Sequence, residues 1–143
     1  MILLDTNVLS EILRRSPDPS VERWLNAHFQ QSAISVVSLL ELLGGAAIMP
    51  SGKRRQALET AINRIVQRFA GRTFPFDEAC ARAAATLMAR ARTLGRGAHQ
   101  LPDKLADLEL AGTAAAYNLA FATRDTSDFA SFGLDLKNPW KPF

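Results

Sequence analysis

The sequence predicts an α/β fold with a mainly parallel sheet. Short aliphatic runs ("ILL", "SAIS", "LAFAT") alternate with longer segments in which apolar residues recur at helical spacing, the pattern of layered α/β domains with crossover connections. At 143 residues, 48% of them hydrophobic, the chain is long enough to bury one ordinary core, so a single domain spanning residues 1–143 is expected. It carries no internal repeat, low-complexity run or linker.

Residues 2–4 read as a short buried strand. Thr6 or its neighbours can cap a following helix that carries Val8, Leu9, Ile12 and Leu13. Pro17 and Pro19 break that helix, and Ser20 is a candidate N-cap for the next, whose stripe is Val21, Trp24, Leu25 and Phe29. His28 lies beside this stripe and reads as a packed or rim histidine. "SAIS" gives a second strand, and Ser35 or Ser38 starts a helix through "VVSLLELLGGAA" with Gly44 and Gly45 near its end. Leu58, Ile62, Ile65 and Phe69 mark the next helix, with basic residues largely off the stripe.

"GRTFPF" reads as a third strand. Asp77 can cap a helix over residues 78–94 that Gly95 terminates. Ala84, Ala91, Leu87 and Met88 on that helix predict close packing against a neighbour. The polar loop "GRGAHQLPDK" leads to a helix over about residues 104–118, then the strand "LAFAT", the polar turn "RDTSDF" and a last edge strand in "LDLKNPW".

Composition removes several function classes. Cys80 is the only cysteine, so neither an internal disulfide nor a thiolate metal cluster can form, and His28 and His99 lack metal-ligand spacing. Any metal here must therefore bind oxygen. No apolar run approaches membrane-spanning length, and the start lacks a secretory leader pattern, so a cytoplasmic protein without membrane association is expected. The net charge of +3 is unevenly spread. Residues 1–50 hold three bases against five acids, residues 51–100 ten against three, and residues 101–143 four against six. The basic middle can attract polyphosphate, although solvated helix faces explain such charge more often.

Four acids stand out. Asp5 ends the first strand and Asp125 follows the fourth, where ligands gather in parallel sheets. Glu41 sits in "SLLELL", a helix apolar nearly all round, and is expected to be at least partly buried. Asp107 stands in "LADLELAGTAAA" among small and apolar residues. Each has an ordinary alternative: a turn or cap for Asp5 and Asp125, an arginine partner for Glu41, a solvated face for Asp107. Together they can converge on one pocket. Carboxylates without histidine or cysteine suit Mg²⁺ or Mn²⁺, and such ions neutralise a phosphodiester, activate water and stabilise the leaving oxygen. Phosphodiester hydrolysis is the predicted reaction.

With "ILLDTNVLSE", "ISVVSLLELLGG", "ADLELAGTA", "ATRDTSDF", "FAGR…PFDE" and "NPW", the chain resembles the PIN-domain ribonucleases along essentially its whole length. More narrowly, it is similar to the VapC toxins of VapBC toxin–antitoxin pairs, in the FitB-like branch. The resemblance implies a three-layer α/β/α sandwich, with Asp5, Glu41, Asp107 and Asp125 as catalytic metal site. Thr6 and Thr123 would support the ligands. Asp128 matches an often acidic position, or caps the turn that follows. Asp103 is an N-cap candidate, and Glu109 falls on a different face from Asp107. "LADLELAGTA" departs from the family's usual Ala-Ala-Asp pattern, which bears on substrate choice.

Further implications are an RNA substrate, a 5′-phosphate product, a homodimer, and a cognate VapB- or FitA-like antitoxin through which alone operator DNA is bound. The antitoxin would set an arginine against the acids. Arg96, Lys104 and Arg124 are candidates for contact with RNA phosphates. Two other readings stand beside this one. In the first, the chain is a weakly catalytic corepressor bound to its partner. In the second, it is a haloacid-dehalogenase-like phosphatase, which expects an aspartate where Asn7 stands.

Overall fold

A computed structural model describes residues 1–94 and 104–141. Five short strands form one sheet: β1 (Ile2–Leu4), β2 (Ser32–Ser35), β3 (Thr73–Phe74), β4 (Ala120–Ala122) and β5 (Leu136–Lys137). Their order is β3-β2-β1-β4-β5, and every neighbouring pair is parallel. β1 is central, with Leu3 opposite Ala33 on one side and Phe121 on the other. Pro75 has no N–H to give a ladder, which helps to keep β3 to two residues.

The helices are α1 (Thr6–Ile12), α2 (Pro19–His28), α3 (Val36–Ala47), α4 (Lys53–Arg68), α5 (Glu78–Thr93), α6 (Leu105–Ala116) and α7 (Thr126–Phe129). Because side chains alternate along a strand, β1 feeds both layers. Ile2 and Leu4 pack with Val8, Trp24, Leu42 and Ile62, while Leu3 packs with Leu87, Leu110, Ala111 and Phe121. The sheet is thus covered on both faces, the three-layer α/β/α arrangement expected.

Several starts and stops differ from expectation. Asp18, not Ser20, caps α2: its side chain accepts the Ser20 N–H at 2.8 Å, and Pro19 fills the first helical position, where its missing N–H costs nothing. Neither Thr6 nor Asn7 caps α1; Asp5 occupies the cap position without a capping hydrogen bond. Ser35 caps α3 through the Val37 N–H, and Asp77 caps α5 through the Cys80 N–H. Gly44 and Gly45 lie near the end of α3, as expected. α6 gives way at Asn118, whose φ of 51° is a left-handed conformation asparagine tolerates better than most residues. The expected stop at Gly95, together with His99, Pro102 and Asp103, lies outside the described residues. No helix among those described is long and apolar enough to cross a membrane.

α5 and α6 approach closely. A Cβ on Gly112 would lie 2.7 Å from the Ala84 Cβ and 2.8 Å from the Cys80 carbonyl oxygen, so the alanine-rich face serves the packing its composition predicted. This contact sets the position of the helix that carries Asp107.

Candidate active site

Parallel β1 and β4 end side by side, with Leu4 opposite Ala122, and the next residues are Asp5 and Thr123. The Asp5 N–H continues the ladder to the Ala122 carbonyl at 2.9 Å, which leaves its side chain to emerge where the helices begin. Thr123 donates its hydroxyl to Asp5 Oδ2 at 2.6 Å, and its oxygen accepts the Asp125 N–H at 3.1 Å. Asn7 extends the link: its Nδ2 lies 3.0 Å from Asp125 Oδ2 and 3.3 Å from Asp5 Oδ2.

On the other side, Thr6 is hydrogen-bonded to Ser38 Oγ at 2.9 Å and donates to Glu41. α1 therefore reaches α3 through Thr6 and the β4 loop through Asn7. Thr6 and Thr123, both expected to support the acids, are each hydrogen-bonded to one: Glu41 and Asp5. Asn7, expected only as one of the neighbours of Thr6 that could cap α1, is instead the bridge between two carboxylates. A short amide between "LLD" and an apolar helix was the available signal.

Asp5 is buried, with 2% of its surface exposed, and its carboxyl is pushed up to about 6. Burial is the main cause. The Thr123 hydrogen bond opposes it, the negative charge of Asp107 reinforces it, and the N–H dipoles of Asn7 and Thr6 draw it back. Asp107, half-buried in the first turn of α6, is also raised. Burial again comes first, followed by the charge of Glu41, while Lys104 opposes and Asp128 and Asp125 add to the rise. All five acids therefore share one electrostatic neighbourhood. Like charges brought together in a partly dry site disfavour one another's ionisation unless a cation joins them.

Two expectations need correction. Glu41 is exposed, because the leucines around it do not all face the core: Leu40 is 70% and Leu43 44% exposed. Asp128 does not cap the turn that follows it, Ala130–Phe132, whose cap position is Phe129; it lies within α7 and pairs with Lys104 at 2.9 Å. That pair engages Lys104 beside the acids, while Arg124 lies over the Trp140 ring, 5.6 Å from its centroid. Arg96 lies outside the described residues. Among the described residues, no three acidic, histidine or cysteine side chains make a ready-formed cation cage.

An α/β domain with a cluster of acids at the carboxyl edge of a parallel sheet is the class that fold and site define. A family model described as PIN domain matches residues 2–133, and the chain belongs to the PIN-domain family. Within it, the chain is similar to named toxins and ribonucleases. It is 41% identical to a VapC ribonuclease of Sinorhizobium fredii over 144 aligned residues, covering 99% of each chain. It is 37% identical to toxin FitB of Neisseria gonorrhoeae, covering 98% of this chain and 99% of that one. A solved structure of FitAB bound to a DNA fragment superposes with a TM-score of 0.89 at 35% identity, covering 100% of this chain and 98% of its counterpart.

Proposed function

We propose that this protein is the toxin of a type II toxin–antitoxin pair and that it hydrolyses RNA phosphodiester bonds with the help of Mg²⁺, or Mn²⁺ in its place. The observation that carries this is the gathering of carboxylates around a buried one: Asp5 feels the charge of Asp107, which in turn feels Glu41, Asp128 and Asp125. Such a set fits a hard divalent ion. Mg²⁺ keeps several of its waters and is commonly bound through one or two carboxylates, so a complete protein cage is not required. The names of the relatives support the same reading.

Asp5, Asp107, Glu41 and Asp125 would hold the cation. When bound, it supplies charge neutralisation at the phosphate and a lower pKa for water. The chain's own residues do the positioning. Thr123 fixes Asp5 in one rotamer by its 2.6 Å hydrogen bond and keeps the ionised form accessible. Asn7 sets Asp125 relative to Asp5, and Thr6 directs Glu41. Strand ends and helices, rather than long loops, carry these groups, as a preorganised site needs. Lys104 and Arg124, with Arg96, would contact RNA phosphates.

The reading includes a cytoplasmic homodimer and a cognate antitoxin of VapB or FitA type, through which the complex binds operator DNA. The FitAB–DNA structure of a relative favours that partner and also the corepressor reading. Cleavage separates the two. The purified chain, freed of any partner, should cut RNA in Mg²⁺, leave 5′-phosphate ends, and lose activity in EDTA and as Asp5→Asn. Absence of Mg²⁺-dependent cleavage in the wild type leaves the corepressor reading standing alone.

A further inference from the structure

The closing "NPW" takes no part in the acidic site, yet the fold ties it there. Asn138 donates its Nδ2 to the Arg124 carbonyl at 3.2 Å, while its Oδ1 accepts the Trp140 N–H at 3.0 Å. One side chain thus pins the tail to the residue preceding Asp125. The Trp140 indole lies against the Arg124 guanidinium, within cation–π range, and packs against the core with part of its surface.

Arg124, Trp140, Arg14, Asn7 and Ser10, with the carboxylates Glu11 and Asp125, line a cleft of about 550 Å³. Asn7 and Asp125 belong to both this cleft and the acidic site, so the two are continuous. Arg14 is oriented by Glu11 at 3.2 Å, a buried carboxylate whose other oxygen accepts the Asp18 N–H at 2.8 Å. The Arg14 side chain nonetheless keeps 65% of its surface exposed. Two guanidiniums and an indole match an anion that carries a flat π face, which is what a nucleotide offers.

We propose that this cleft binds one unpaired nucleotide adjoining the phosphodiester presented to the acidic site, with its base stacked on the Arg124–Trp140 wall and its phosphate held by Arg14. The proposal rests on the nuclease reading and assigns it a single-stranded substrate at the cut. A paired base keeps its faces within its own helix and cannot stack there. Stacking on an aromatic wall also tolerates any base, so the cleft selects unpaired RNA over duplex more strongly than it selects sequence.

The chain has two tryptophans, and Trp24 is buried, so Trp24→Phe leaves Trp140 as the sole indole reporter. In EDTA, where no cleavage occurs, a short single-stranded RNA oligonucleotide should quench it saturably, and the same RNA annealed to its complement should not. Without the Trp24 change, Trp140→Ala should weaken single-strand binding about tenfold, and Trp140→Phe should restore most of it. Arg14→Ala should lower the slope of log affinity against log salt by about one. Absent quenching, equal quenching by duplex, unchanged affinity in Trp140→Ala, or quenching by a partner protein but not by RNA would each overturn the subsite. Quenching without Mg²⁺-dependent cleavage counts against the nuclease reading alone, whereas cleavage without quenching counts against the subsite alone.

Discussion

Thr123 Oγ1 donates to Asp5 Oδ2 at 2.6 Å across 118 residues of sequence, joining the ends of two adjacent parallel strands. The bond stabilises the charged form of a carboxylate that burial otherwise drives towards neutrality. Thr123→Val keeps the shape and removes the donor. The Asp5 carboxyl should then rise further, moving the acidic limb of the pH–rate profile to higher pH by on the order of one unit. A carboxyl NMR titration of the metal-free protein reads the same shift, and an unmoved midpoint would sink this account.

Burial of Asp5 also sets a pH dependence of stability. The folded protein holds this proton more tightly than the unfolded chain, so between 3.8 and about 6 it binds more protons, and stability falls as pH rises through that window. Above it, the ionised group costs on the order of 3 kcal/mol in the metal-free state. Asp5→Asn should therefore melt higher than wild type at pH 8 in EDTA, with the difference vanishing near pH 4. An equal or lower melting temperature at pH 8 contradicts it.

Gly112 faces Ala84 where α6 crosses α5, and an added Cβ would fall 2.7 Å from Ala84 Cβ and 2.8 Å from a backbone oxygen. Backbone cannot yield as a flexible side chain can. Gly112→Ala should destabilise by about 1–3 kcal/mol through overpacking, partly offset by about 1 kcal/mol of helix propensity. Because Asp107 rides on α6, activity should fall more than stability alone explains. Denaturant melts with an unchanged midpoint would rule this out.

Arg72 answers three carbonyls, those of Phe29, Ser32 (2.7 Å) and Arg68 (3.1 Å), while its guanidinium stacks on the Phe29 and Phe69 rings. It joins the end of α4 to the entry of β2. A lysine offers a point charge in place of a planar fork, so Arg72→Lys should cost about 1–3 kcal/mol, and Arg72→Ala at least as much. Equilibrium unfolding measures both, and a lysine variant as stable as wild type would show that the fork is not needed.

Much of the candidate site was legible because its acids stand out from the local pattern. "ILL" followed by Asp5, and "LAFAT" followed by "RD", put carboxylates at strand ends where no packing argument wants them. Thr6 and Thr123 came only from the resemblance to the family. Sheet order was not legible, since β1 pairs with β4 across more than a hundred residues and local periodicity carries no such information. Glu41 misled for a related reason: its leucine neighbours suggested burial, but α3 shows Leu40 and Leu43 to solvent. Glu11 gives no signal in the sequence, since only the fold brings the Asp18 N–H to it. The role of Asn138 likewise depends on the tail returning to the β4 loop.

Tyr117 donates to Asp77 Oδ2 at 2.5 Å, and its ring meets Phe74 edge-on, 4.8 Å between centroids. The bond from its neutral hydroxyl to a carboxylate pushes the phenol up to about 12, while Asp77 is lowered by the same bond and by the Cys80 N–H. It is the only tyrosine in the chain, so phenolate absorbance titrates this group alone. The folded protein retains the Tyr117 proton where the unfolded chain releases it. The contribution to stability is therefore fully present below 10.0 and lost as pH rises towards 12. Asp77→Asn keeps a residue able to cap α5 but removes the charge facing the hydroxyl. The absorbance midpoint should fall from about 12 towards 10 in that variant, and a midpoint that does not move would mean that the Asp77 charge is not what holds the proton.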